Sequence, residues 1–141
     1  MPSKKDAKGF SAEEKSAMRA RIQEEKAQTT REAGEAAVIA ALSAMPQPDR
    51  ALGERLHKII RTAAPSLATR TWYGMPAYTK DDEVLCWYQP ASKFKVRYGQ
   101  LGFSDKAKLD DGQMWPIVYA LPELTKADEV RIAALVKKAV G

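Results

Sequence analysis

Between Thr71 and Tyr78 the chain reads Thr-Trp-Tyr-Gly-Met-Pro-Ala-Tyr, and few folds accept such a run. Trp, Tyr and Thr fit a pleated, half-buried surface, so the stretch is expected to be extended. Gly74 brings no side chain and Pro76 no N–H, so a strand here must be bent, bulged or at an edge. Two forms satisfy this: a twisted strand with aromatic core residues, or a strand bent into one wall of a pocket.

The stretch divides the chain. Before it the pattern is helical. Ser11-Ala12-Glu13-Glu14 is a capping box, and the following residues to about Gln28 are good helix formers with only Met18 and Ile22 as large apolar groups. So polar a helix is an arm that docks along one narrow stripe or on a partner. Thr29, Thr30 and Gly34 interrupt the pattern, and a short helix from Glu35 to Ala44 carries Val38, Ile39 and Leu42. Pro48 opens a third helix that runs to about Ala64, with Leu52, Leu56, Ile59, Ile60 and Ala63 on one face. This is the best amphipathic helix in the chain and is expected to lie across a sheet.

After the stretch the pattern turns to strands. Lys80-Asp81-Asp82-Glu83 reads as a turn, and Val84 to Gln89 as a strand apolar at almost every position, hence covered on both faces. Lys93 to Tyr98 alternates, with Phe94, Val96 and Tyr98 on one side and Lys93, Lys95 and Arg97 on the other, which predicts another strand. Ser104 can cap a brief helix to Leu109, and Asp110-Asp111-Gly112 closes it. Met114 to Ala120 reads as a strand broken by Pro116, and Thr125 with Asp128 caps a last helix with a broad apolar surface.

At 141 residues the chain holds one core plus an arm, divided as residues 1–46 (tail and helical arm) and 47–141 (domain). No run approaches the roughly 18 apolar residues of a membrane span, and the basic N-terminus leads into charged helix, so a cytoplasmic location is expected. A lone cysteine, Cys86, excludes an internal disulfide and a cysteine-cluster zinc site. His57 is the only histidine and has no evident partner, which points to a solvated or structural role.

Trp72-Tyr73-Gly74-Met75-Pro76-Ala77-Tyr78, followed by Lys93-Phe94-Lys95 and Leu101-Gly102-Phe103-Ser104, resembles the pattern of the YdhG-type domain, a largely uncharacterised bacterial family. The resemblance covers about residues 47–141, and residues 10–28 look like the helical leader of some longer members. It implies an α+β domain, a small antiparallel sheet packed against helices, here with an N-terminal helical arm. One branch of the family is a frataxin-like iron chaperone for iron–sulfur assembly, which makes iron the one cofactor the resemblance brings. Hard cations want several carboxylates gathered together. Outside the first helix only Asp81, Asp82, Glu83 and Asp110, Asp111 are grouped, and both groups also read as ordinary turns, so no metal site is expected.

The chain has no Gly-rich phosphate loop, nucleophile elbow, metalloprotease helix or spaced Cys/His cluster, so a non-enzymatic binding module is the better class. Of eleven aromatic residues all but Phe10 lie between Trp72 and Tyr119. If helices cover one face of the sheet, the other must be covered by the N-terminal helices, a second subunit or a ligand. The expected ligand face comprises Trp72, Gly74, Met75, Pro76, Tyr78 and Trp87, with Lys93, Lys95 and Arg97 at the rim to hold an acidic group. The partner on this reading is a protein, a second copy of the chain or a small molecule. Net charge +5 ranks nucleic acid behind these, because a charge run is usually a solvated face.

Overall fold

Two-residue turns with both central residues left-handed match the twist of antiparallel strands, and the chain uses two in succession. Tyr73 and Gly74 have φ of 51° and 76°, and Asp81 and Asp82 have φ of 52° and 65°. The computed structural model describes residues 11–19 and 30–141. Its strands are β1 (Ala68–Trp72), β2 (Met75–Lys80), β3 (Glu83–Gln89), β4 (Gly99–Phe103) and β5 (Val118–Leu121). They form one antiparallel meander in the order β1-β2-β3-β4-β5. The helices are α1, described over 12–19, then α2 (Arg31–Ser43), α3 (Asp49–Ala63), α4 (Ala91–Phe94) and α5 (Lys126–Val140). The fold is therefore α+β, as expected.

Residues 71–78 are not one bent strand but a hairpin. Trp72 pairs with Met75 across the Tyr73-Gly74 turn, and Thr71 pairs with Pro76. The ladder from β2 to β3 begins at Ala77 and Trp87, one residue past Pro76, which has no N–H to give it. Farther on, Tyr78 opposes Cys86 while Thr79 opposes Val84, so Leu85 is an extra residue. This bulge turns Leu85 and Cys86 to the same face, and both are fully buried.

That face meets the helices. Tyr78, Cys86, Tyr88, Leu101 and Phe103 share one core with Leu56 and Ile60 of α3 and with Ile132 and Val136 of α5. Val38 and Leu42 of α2 belong to the same core, so the domain does not start at residue 47. Arg31, at the start of α2, donates to the carbonyls of Pro65, Ser66 and Leu67 at 3.0–3.1 Å, which fastens it to the connection before β1. Gly34 lies inside α2 rather than breaking it, and its lack of a side chain is a packing requirement: a Cβ there would stand 2.0 Å from the Thr69 carbonyl oxygen. Both capping boxes form, Ser11 with Glu14 and Thr125 with Asp128. The part of the first helix beyond 19 lies outside the described residues.

Three further expectations fail, each for a local reason. Lys93 to Tyr98 is not a strand: Ala91–Phe94 is the one-turn α4, Lys95 is left-handed with φ of 55°, and the chain is irregular until Gly99. The buried Asp49 side chain accepts from the Ser92 N–H at 3.0 Å and from the Ser92 hydroxyl, holding that turn. Phe94 and Val96, whose alternation suggested a strand, are exposed. Residues 104–109 form turns held by Ser104, whose hydroxyl donates to the Val84 carbonyl at 2.6 Å, and no helix forms. The strand expected from Met114 begins only at Val118, beyond Pro116.

Gly34→Ala tests the placement of α2. Helix propensity alone would favour Ala by about 1 kcal/mol. Backbone contact with Thr69 is expected to override this and give a net loss of about 1–3 kcal/mol in chemical denaturation. A gain in stability would mean that α2 does not lie on β1.

Candidate functional site

Alternation along the strands gives the sheet a second face, and none of the core side chains point there. By register, Arg70, Ala77, Trp87, Gly102 and Val118 form one row across the five strands, with Trp72 and Met75 beside it. A Cβ on Gly102 would come within 2.4 Å of the Trp87 ring, so the absence of a side chain lets the indole lie directly on β4. Trp72 meets Trp87 edge to face with ring centroids 5.2 Å apart, and Tyr73 stands 5.0 Å from Trp72. The tryptophans are half-buried, while Tyr73, at the turn, is 78% exposed. Beneath them Met75 and Ala77 are buried by these rings and by neighbouring strands.

The structure thus brings together Trp72, Gly74, Met75 and Trp87. Lys93 of α4 reaches Gly74, its Nζ close enough that a Cβ there would lie 2.9 Å away, but the two line a groove with Ala41, Met45 and Asp49 rather than with the tryptophans. The structure does not bring in the others. Tyr78 has the opposite parity to Trp87 and is buried under the helices, and Pro76 is buried with it, so Trp72, Tyr78 and Trp87 do not form the expected pocket. Lys95 and Arg97 are exposed beyond α4, and Arg97 lies over the Tyr98 ring, 4.9 Å from its centroid. Among the described residues, α2, α3 and α5 cover one face of Val84–Gln89, and Trp87 on the other is half-buried. This second face carries a cluster of three aromatic rings, Trp72, Tyr73 and Trp87.

Under the helices lies a polar chain that sequence reasoning missed. The Tyr78 hydroxyl is 2.9 Å from Nδ1 of His57, and His57 Nε2 is 2.7 Å from Oε2 of Glu35. Thr69 donates to Glu35 Oε1 at 3.1 Å, and Arg61 Nε lies 3.5 Å from the same oxygen. An ionised carboxylate only accepts, so Nε2 carries a proton to Glu35, while Nδ1 accepts the Tyr78 O–H when the ring is neutral and donates to the phenol oxygen when it is protonated. Carboxylate, imidazole and hydroxyl in this order resemble a nucleophile triad. Here the hydroxyl belongs to a fully buried phenol, whose pKa burial pushes well above its usual value. It ties α2, α3 and β2 together and offers a substrate no access. Nothing near His57 in sequence marks Glu35, 22 residues earlier, as its partner.

Burial pushes the Glu35 carboxyl up, but the His57 bond and charge, the Thr69 bond and the Arg61 charge together hold it below the ordinary glutamate value. Cys86 is fully buried and its thiol is pushed up to about 12, so it stays protonated and inert.

Among the described residues no three His, Cys, Asp or Glu side chains gather as a metal site. Asp81 and Asp82 make the β2–β3 turn, Glu83 pairs with Lys106 at 3.3 Å, and Asp110 and Asp111 are exposed in the connection between β4 and β5. No described helix is long and apolar enough to cross a membrane. Compared with family models, curated proteins and solved structures, the chain finds no match.

Because the Glu35 carboxyl is depressed in the folded state, its stabilisation is fully present above the unfolded-state value and is lost as pH falls through the folded one. The stability advantage of the wild type over Glu35→Gln, followed by denaturation from about pH 7 to about pH 3, should persist down to about pH 4.5 and shrink below it. An advantage that grows on acidification would contradict the carboxylate's role.

Proposed function

We propose that this protein is a non-enzymatic binding module that docks a protein partner on the face of its sheet opposite α2, α3 and α5. One observation carries the reading: the large helices pack on one side, and the other presents Trp72, Tyr73 and Trp87 with the 46%-exposed Val118. Contiguous exposed aromatics of this kind mark interaction surfaces, and Trp and Tyr are the residues that most often dominate binding energy. Seating Trp87 on Gly102 fixes its ring before a partner arrives, which lowers the entropy lost on binding. Arg70 in the same row favours an acidic group on that partner.

Iron carriage, the alternative brought by the resemblance to YdhG-type domains, has less behind it. Asp81, Asp82, Glu83, Asp110 and Asp111 are the acidic groups it would use, and Glu83 is already paired with a lysine.

A photo-reactive phenylalanine analogue at Tyr73, compared with the same group at the exposed Ala36 of α2, tests the proposal in cells. A nuclease-resistant protein adduct is expected from position 73 and none from position 36. Trp72→Ala should reduce the adduct by roughly tenfold or more, as removal of a central aromatic anchor does. Equal adducts at both positions, or none at 73, would refute the sheet face as the contact surface. A nuclease-sensitive adduct would transfer the face to nucleic acid.

A further inference from the structure

Helix α5 carries two apolar stripes. Ile132, Val136 and Ala139 enter the core, whereas Val130 and Ala133, continued by Lys137, lie on another side at helical spacing. With Ile59 and Ala63 of α3 this second stripe floors an open groove of about 490 Å³ between the two helices. Val130 is 72% exposed there, an unusual setting for valine on a packed helix. Arg55 and Glu129 pair across the helices and neutralise each other. Lys58 and Lys137 also line the groove, both exposed, and neither has a side-chain partner among the described residues. The rim therefore carries two uncompensated positive charges over an apolar floor.

We infer that this groove docks an amphipathic helix of a partner protein, with carboxylates flanking its apolar stripe. Three observations select that occupant. Both walls are helices with their backbone bonds satisfied internally, so an extended peptide would gain no main-chain pairing. Residues 55–63 and 129–137 each span about 12 Å, the length of two helical turns, and match a stripe at i, i+3, i+4 and i+7. Ala63 and Ala133 are small enough for a third helix to approach at ordinary packing distance. Lys58 from one wall and Lys137 from the other then supply complementary charge to acids on either side of the incoming stripe. The groove lies on the helix layer, so this contact is separate from the sheet face.

The test uses the full chain and two fluorescein-labelled helical peptides of about fifteen residues with the same leucine stripe. One is flanked by Glu and the other by Lys. In fluorescence anisotropy the Glu peptide is expected to bind at least about tenfold more tightly than the Lys peptide. Val130→Glu, at an exposed position, should weaken Glu-peptide binding by about tenfold or more. The double change Lys58→Glu with Lys137→Glu should reverse the preference between peptides, a readout that misfolding cannot produce. Equal binding of the two peptides, binding unaffected by Val130→Glu, or binding of neither peptide at about 1 mM would overturn the inference.

Discussion

A phenol sealed beneath helices must find a hydrogen-bond partner or forfeit about 1–3 kcal/mol, and Tyr78 finds one in His57. His57 is held in turn by Glu35, so one chain of bonds joins the middle of the sheet to two helices that are separated in sequence. Where Tyr78 points decides much else. With it inward, Cys86 and Phe103 across the ladder also point inward, and Ala77, Trp87 and Gly102 must point out. Gly34 completes the arrangement by letting α2 rest on the β1 backbone beside Thr69, the residue that also bonds Glu35.

The outward face follows from this constraint. Its aromatics are not spare core residues, because the core on the other side is already closed by α2, α3 and α5. Small residues at Ala77 and Gly102 give the rings a floor to lie on, and the tight Tyr73-Gly74 turn carries a further aromatic beyond it. A surface organised in this way is suited to recognition through shape and rigid apolar area. The helix layer adds a second, more polar surface, where the α3–α5 groove combines valine, alanine and lysine.

Much of this was legible in the sequence where the signal was local. The stripe of α3 and the Ser11–Glu14 and Thr125–Asp128 caps each lie within a few turns of chain, and each forms as read. The acidic turn at 81–82 was equally plain. The hairpin at 73–74 was hidden because Tyr73 adopts a left-handed conformation that its side chain does not advertise. Alternation at 93–98 misled because Phe94 and Val96 face solvent, while the turn there is fixed by Asp49, 43 residues earlier. Gly34 reads as a helix breaker in sequence, whereas it is the point of close approach that seats α2 on β1. Of the expected site, Trp72, Met75 and Trp87 share a face with Gly74 in the turn beside them, whereas Pro76, Tyr78, Lys93, Lys95 and Arg97 lie elsewhere. Strand parity alone could have separated Tyr78 from Trp87 only once the register across the β2–β3 bulge was known.

Sidedness is the central claim, and solvent relaxation measures it most directly. In dilute protein a soluble gadolinium chelate should strongly broaden the ring resonances of Tyr73 and measurably broaden those of Trp72 and Trp87. The rings of Tyr78, Tyr88 and Phe103, each no more than 1% exposed, should stay sharp. Broadening of Tyr78 to the level of Trp87, or protection of all three outward aromatics to the level of Phe103, would contradict a sheet covered on one face and open on the other.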